Sequence, residues 1–298
     1  MTVEVNLNNL NPAAMYKKQS QLKETCRRFA KSKGAVIGLV LFATVALSLL
    51  CADLLVPYEA GTIQNLALKN ASPSMEHLFG CDSYGRDILA RILHGGKISL
   101  GIALLGTLCS CVVGCFLGAV AGYYGGKVDS IIMRSLDIFM SVPDLLFTMA
   151  VVYVLGANFV NLLIALTLAF FTNYVRLVRS QVLNLSEKDY VEAARAGGAS
   201  GFRIIMSHVI PNSMGVIIVN TTLNVAKIVI YQSTLSFLGL GMPPPSPEWG
   251  QMLAEAREYM RSAPHLIVFP ALAIIITACA INLMGDGLRD ALDPHLKS

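Results

Sequence analysis

Long apolar segments separated by short polar ones set the pattern of this 298-residue chain. A bilayer core of about 30 Å is crossed by about 20 apolar residues when they form a helix. The pattern predicts six such spans, near residues 34–56, 98–121, 131–156, 159–179, 212–237 and 265–285. The predicted fold class is therefore all-α, a polytopic membrane protein with six transmembrane helices.

Composition agrees with a membrane protein. Hydrophobic residues make up 54% of the chain and charged residues 14%, and the mean hydropathy is +0.59. These polar groups are too few to cover the surface of a soluble globular protein. We therefore expect the chain to lie in a lipid bilayer. The net charge of +4 is explained by basic residues in the inner loops, and no nucleic-acid partner is expected.

The distribution of basic residues predicts the orientation. Seven lysines and arginines lie in residues 1–33 against Glu4 and Glu24, and such an excess beside a span marks the cytoplasmic side. Six spans then place both termini inside. The predicted segments are a cytoplasmic tail (1–33), a first transmembrane helix (34–56), an extracytoplasmic loop (57–97) and a five-helix core domain (98–298).

The polar segment, residues 189–201, lies inside this core domain on the predicted cytoplasmic side. It predicts a short helix that Gly197, Gly198 and Gly201 would end, because glycine adopts the backbone conformations of tight turns. Glu192 lies in the first turn, where it either contacts a soluble partner or stabilises the helix dipole. Pro211 is predicted to start the fifth span.

One face of the fifth span carries polar side chains at helical spacing, namely Asn220, Asn224, Lys227 and Tyr231. Polar groups within a membrane usually face a bundle interior or a water-filled path. The stripe therefore favours a pathway-lining role over hydrogen bonding between helices.

A partner for Lys227 is predicted from depth in the membrane. Lys227 and Asp144 should each lie about 22 Å from the inner ends of their helices. Asp144 follows Pro143, which should bend the third span. We therefore expect a Lys227–Asp144 pair beside this bend, with Asp144 also lining the pathway.

Small residues recur at every fourth position of the second span, at Ser110, Gly114, Gly118 and Gly122. Such a stripe lets another helix approach closely. The other helix belongs either to this chain or to a second membrane subunit, and the sequence leaves both open.

No set of residues suited to catalysis or metal binding is recognisable. The seven cysteines and five histidines show no metal-ligand spacing. The segment 122–128 lacks the first glycine and the Ser/Thr of a phosphate-binding loop. We therefore expect no catalytic residue, no metal site and no ATP hydrolysis by this chain.

Four blocks together resemble one family. They are Glu192-Ala193-Ala194 with Gly198 and the later Ile210-Pro211-Asn212, and the segments 78–87, 236–250 and 285–294. In this order they resemble the permease subunits of ATP-binding-cassette (ABC) importers, specifically the C-type permease of the dipeptide and oligopeptide group. Cys81, Gln232 and Lys227 depart from the family's usual residues.

The resemblance implies a type I ABC importer permease fold in a bacterial cytoplasmic (inner) membrane. It implies a B-type permease partner in a heterodimer, two ABC ATPase subunits and an extracytoplasmic solute-binding protein. It also implies that ATP and Mg are used by the ATPase subunits, with no cofactor bound by this chain. The residues it assigns to ATPase coupling are Glu192, Ala193, Ala194, Gly197, Gly198 and Pro211.

The implied cargo is short peptides, with nickel chelates, glutathione-like peptides or other small solutes as alternatives. A stand-alone secondary transporter would also show six spans and charges within the membrane. It would have no use for the short polar helix, and inverted repeats typical of that class are not recognisable.

Overall fold

The computed structural model describes residues 21–292, which contain helices and no strands. The predicted tail before residue 21 and the chain after residue 292 lie outside the described residues. The helices are α1 (Gln21–Lys31), α2 (Lys33–Leu50), α3 (Ala52–Leu55), α4 (Ile88–Tyr124), α5 (Gly126–Met140), α6 (Asp144–Leu155), α7 (Phe159–Ser186), α8 (Asp189–Ala196), α9 (Gly201–Ile204), α10 (Ile210–Leu235), α11 (Trp249–Ala256) and α12 (His265–Leu292).

Shorter elements complete the chain. Two π-helical turns flank α10, at Ile205–Val209 and Ser236–Leu240. Three 3-10 turns lie in the loops, at Tyr58–Gly61, Leu66–Leu68 and Arg257–Tyr259.

Five helical segments of the described chain are long and apolar enough to cross a membrane, and α5 with α6 forms a sixth span if the bent pair is counted as one. The two helices meet at an angle of 84°, so the bend predicted at Pro143 is present and sharp. The prediction of six spans in an all-α fold is confirmed in this form.

Two spans begin earlier than predicted. The second span was predicted from residue 98, but α4 already begins at Ile88, where the Asp87 side chain accepts a hydrogen bond from the Ala90 backbone N–H. The fifth span was predicted from residue 212, but a helical run extends over residues 201–240. Apolar length marks where a helix is in lipid, and it does not mark where the helix starts.

The first long helix, α2, packs along α12 on one side only. Gly38 permits this contact, since a Cβ there would lie 2.7 Å from the Ala280 backbone oxygen. Most of its other apolar side chains, such as Val40 and Leu47, are exposed. An apolar surface of this kind is stable in lipid, which supports the membrane setting of the helix.

The stripe of small residues on α4 packs against α7 of the same chain. A Cβ at Gly114 would lie 2.3 Å from the Tyr174 Cβ, and one at Gly118 would lie 2.6 Å from the Val175 backbone oxygen. Gly122 lies equally close to Val182. The hypothesis that Gly118 and its neighbours face a second subunit is therefore wrong, because α7 already covers that face.

Residues 57–97 and 238–264, which we call the cap, meet at one end of the bundle. The Trp249 side chain is buried between them, and its indole N–H donates to the Ile92 backbone oxygen at 2.9 Å. Gly95 lies so close to the Pro247 backbone oxygen that no Cβ would fit. The cap is thus a packed unit built from two loops far apart in sequence.

Candidate functional site

The polar segment forms α8 and joins it to three long helices. Val191 of α8 is fully buried. It packs in an apolar cluster with Ala119 of α4, Val178 of α7 and Ile217 of α10. Because packed side chains transmit displacement, a force on α8 reaches all three helices.

The turn after α8 depends on glycine. The helix ends at Ala196, with Gly197 at its C-cap, and Gly198 has φ of 79°. Only glycine adopts this left-handed conformation without strain, and a Cβ at Gly198 would meet no atom within 4 Å. Replacing Gly198 therefore strains the backbone without a steric clash.

A second contact ties the polar segment to α4 through Tyr123. The Arg195 guanidinium lies over the Tyr123 ring, with 5.7 Å between its carbon and the ring centroid. Gly201, which begins α9, lies against the edge of the same ring. The segment is thus held against α4 on both sides of its glycine turn.

The outward surface of the polar segment is open. Glu192 and Ala193 are exposed, Ala194 is half-buried, and no side-chain partner of Glu192 is found in residues 21–292. The apolar side chains of Tyr190, Phe202 and Met206 are also exposed nearby in the chain. Exposed aromatic and methionine side chains close together are typical of a surface that binds another protein.

Pro211 lies in the first turn of α10, as predicted, but α10 continues a helical run that already begins at Gly201. Pro211 follows the π turn Ile205–Val209 inside a continuous helical run, so the wider turn accommodates a residue without an N–H. Asn212 and Ser213 donate side-chain hydrogen bonds to the His208 and Val209 backbone oxygens. These bonds stabilise the helix where proline interrupts it.

The polar stripe on α10 divides into a covered part and an open part. Asn224 is buried beside the Tyr174 hydroxyl. Tyr231 packs edge-on against the Phe170 ring, at 5.2 Å between centroids. Asn220 is half-buried and Lys227 is exposed. Only Asn220 and Lys227 therefore present polar groups to a space outside this chain.

The predicted Lys227–Asp144 pair is absent from the described residues, and that hypothesis is wrong. Asp144 is exposed and lies near the Tyr231 hydroxyl, one helical turn beyond Lys227 on α10. Lys227 has no ion-pair partner within residues 21–292. Depth along the helices brought Asp144 to within one turn of Lys227, but the neighbour of Asp144 on α10 is Tyr231.

Buried charges in the cap were not predicted. Arg86 and Arg91 are 2% and 1% exposed, and both contact Asp82 and Glu255. Arg86 Nε lies 2.7 Å from Asp82 Oδ2, and Arg91 Nη1 lies 2.7 Å from Glu255 Oε2. We call these four residues the ionic cluster. It joins the two loops of the cap.

A further buried acid lies where α10 meets the cap. Glu248 is fully buried, and its Oε1 accepts from the Gly250 backbone N–H at the start of α11. Its Oε2 lies near Ser236 and Gln232 without a hydrogen bond of normal geometry. Burial raises the pKa of the Glu248 carboxyl, because the charged form loses its hydration.

Comparison with known families places the chain in one class. Residues 114–298 match the family described as binding-protein-dependent transport system inner membrane component, and residues 20–73 match the N-terminal TM domain of oligopeptide transport permease C. The chain belongs to the binding-protein-dependent transport system inner membrane component family. The resemblance to ABC importer permeases seen in the motifs is confirmed.

Similar proteins cover nearly the whole chain. The glutathione transport system permease protein GsiD of Pectobacterium atrosepticum is 43% identical over 277 residues, covering 93% of this chain and 92% of that protein. The dipeptide transport system permease protein DppC of Alkalihalophilus pseudofirmus is 38% identical over 291 residues, covering 98% and 95%.

A solved structure shares the fold. A chain of the MetNI methionine ABC transporter, in inward-facing conformations, matches with a TM-score of 0.55 and 19% identity, covering 68% of this chain and 96% of that one. The predicted type I ABC importer permease fold is confirmed. The chain is thus a membrane permease subunit of an importer that works with ATPase subunits and a solute-binding protein.

Proposed function

We propose that this chain forms half of the translocation pathway for short peptides in an ABC importer, paired with a B-type permease subunit. Two ABC ATPase subunits and an extracytoplasmic solute-binding protein complete the proposed complex. Support for a peptide cargo comes from relatives named as dipeptide permeases that match over nearly the full chain. The open polar positions Asn220 and Lys227, with Asp144 by the bend, face the proposed pathway.

The polar segment is the proposed contact with an ATPase subunit. The proposed mechanism rests on how this segment is exposed on one side and packed on the other. Glu192 and Ala193 are exposed on a short helix whose buried side, at Val191, joins α4, α7 and α10. Movement of an ATPase subunit would shift α8 and rock these helices together. Ala194, Gly197 and Gly198 keep the helix short, and Pro211 follows at the base of α10.

In this proposal the chain itself is not catalytic and binds no cofactor, since ATP and Mg act in the ATPase subunits. The proposed location is a bacterial cytoplasmic (inner) membrane with both termini in the cytoplasm. Support for the orientation comes from the basic residues before α2 and the open surface of the polar segment.

A glutathione-like peptide is a second candidate cargo. It is favoured by the 43% identity to a glutathione permease, which covers 93% of this chain. Glutathione is itself a short peptide, so both candidates predict uptake of small peptides and differ in which peptide competes best.

The test is ATP-dependent uptake of labelled dipeptides and glutathione by vesicles that contain the complete complex. Gly198→Val should abolish uptake, because a β-branched side chain at φ of 79° disrupts the turn that ends α8. Gly156→Val is the matched control, since Gly156 has φ of 86° and equally open space but lies away from the polar segment.

Loss of uptake in the Gly198 variant alone, with normal assembly, supports the proposal. Equal uptake by both variants would contradict the role of the polar segment. An absence of peptide uptake by the native complex would contradict the peptide cargo.

A further inference from the structure

A groove of mixed polar and apolar lining runs between α7, α10 and α12 at the end of the bundle nearest the polar segment. Its volume is 640 Å³. It lies close to the π turn before α10 and to the last residues of α12. The groove is lined by Gln181, Asn212, Gly215, Val216, Val219, Asn220, Leu223, Arg289 and Leu292.

The polar side chains of this groove include a cation and no acid. Arg289 is exposed and has no ion-pair partner in the described chain, although Asp286 and Asp290 are close in sequence. The other polar groups are the amides of Gln181, Asn212 and Asn220. One N–H of each asparagine amide already donates within α10, from Asn212 to the His208 oxygen and from Asn220 to the Val216 oxygen. The Arg289 guanidinium and the Gln181 amide are the further donors of the groove, and a guanidinium suits a carboxylate group.

Lys227 continues the same face of α10 beyond the groove. It lies four residues after Leu223 and seven after Asn220, so all three share one side of the helix. The rise of an α-helix places Lys227 about 10 Å along the axis from Asn220. Lys227 is exposed and unpaired within residues 21–292. Two cations therefore lie along this side of the bundle, Arg289 of α12 at the groove and Lys227 of α10 beyond it.

An unpaired lysine within a membrane helix needs water or an anion. At the centre of a bilayer, a charged side chain facing lipid costs about 3 kcal/mol by insertion scales. Exposed and unpaired in the described chain, Lys227 therefore requires water or an anionic group beside it. The groove lining contains no acid. The acid placed near Lys227 is Asp144, which lies by Tyr231 on the side of Lys227 away from the groove.

We propose that Lys227 and the Arg289 groove form a carboxylate-binding surface in the translocation pathway. The surface favours peptides with free carboxylates, above all those that carry two of them, over peptides with a blocked C-terminus or a basic side chain. This inference rests on the proposed function, since it names the chemical class of its cargo.

The experiment is a double-mutant cycle between protein charge and cargo charge. Initial uptake at limiting concentration is measured for a dipeptide with a free C-terminus and for the same dipeptide with an amidated C-terminus, in native and Lys227→Met complexes. The solute-binding protein has the same preference for either peptide in both complexes. Its preference therefore cancels when the uptake ratio of the two peptides in the native complex is divided by the same ratio in the Lys227→Met complex.

Removal of Lys227 should reduce the preference for the free carboxylate about tenfold, as expected for loss of a hydrogen bond to a charged group. Lys227→Arg should keep most of the preference. Lys31→Gln is the control. Lys31 is an exposed cation on α1, far from Lys227 in sequence, and its replacement should leave the preference unchanged. If the Lys227→Met complex fails to assemble, Arg289→Gln serves in the same cycle.

If the uptake ratio of the free to the amidated dipeptide changes less than twofold in Lys227→Met, the proposed carboxylate-binding surface is wrong. The proposal of a peptide importer would still stand. No uptake of either peptide by the native complex would overturn the peptide cargo and the surface together. These two failures are thus distinguishable.

Discussion

The two ends of the helical bundle are built in opposite ways. In the cap, buried charges, an inserted tryptophan and close backbone contacts hold two distant loops together. The polar segment instead packs through buried Val191 and two half-buried alanines, contacts Tyr123, and has an exposed glycine turn. The comparison contrasts a cap held by buried charges with a polar segment held mainly by apolar packing, and the proposed coupling role needs such a difference if force enters at only one end.

The largest expected effect is in the cap. Glu255→Ala should destabilise the fold by about 3–5 kcal/mol, because it leaves the buried Arg86 and Arg91 with only Asp82 for compensation. Glu258→Ala is the matched control, since Glu258 is exposed and has no ion pair in the described residues. Thermal unfolding of the purified complex in lipid nanodiscs measures both.

Equal loss of stability in the two variants would contradict the view that the ionic cluster makes the cap rigid. The same would follow if neither variant lost stability.

The next effect is in the bundle between the two ends. Gly118→Ala should destabilise the chain by about 1–3 kcal/mol, because the added Cβ would lie 2.6 Å from the Val175 backbone oxygen and separate α4 from α7. Gly101→Ala on the same helix meets no atom within 4 Å and should be neutral or slightly stabilising. In thermal unfolding we expect a clear loss of stability for Gly118→Ala and none for Gly101→Ala.

If both alanine variants behave alike, the close contact between α4 and α7 does not hold these helices together.

A smaller, pH-dependent effect is expected at Glu248. The pKa of this carboxyl is raised in the folded state, so its stabilising contribution is complete below the ordinary pKa of 4.5 and is lost as pH rises through the folded value. Glu248→Gln mimics the protonated form and should raise stability by about 1 kcal/mol near pH 8. Near pH 4 the variant and native chains should unfold alike.

A stability difference that does not widen between pH 4 and pH 8 would show that the Glu248 carboxyl is not the titrating group. Glu258→Gln, which makes the same change at an exposed carboxyl of the cap, is the control.

Sequence reasoning reached the features that depend on local pattern. Apolar runs predicted the spans, Pro143 predicted the bend, and the glycines predicted where a short helix would end. Each of these depends on neighbours within about one turn, which a single sequence contains.

Features that depend on residues far apart in the sequence were either not predicted or predicted wrongly. The ionic cluster joins Arg86 and Arg91 to an acid that is 169 and 164 residues away, and no local pattern marks such a partner. Helical spacing grouped Asn224 with Lys227, but packing of α7 covers the first and leaves the second open. Which side of a helix its neighbours cover is decided by the tertiary fold.

The central claim is that the exposed side of α8 contacts an ATPase subunit, and cross-linking tests it most directly. A photoreactive amino acid would replace Glu192 in the assembled complex, with replacement of Ser262 in the cap as the matched exposed control. We predict a cross-link to an ATPase subunit from position 192 and none from position 262. A complex that transports normally but gives no ATPase cross-link from position 192, or gives one from position 262, would contradict the claim.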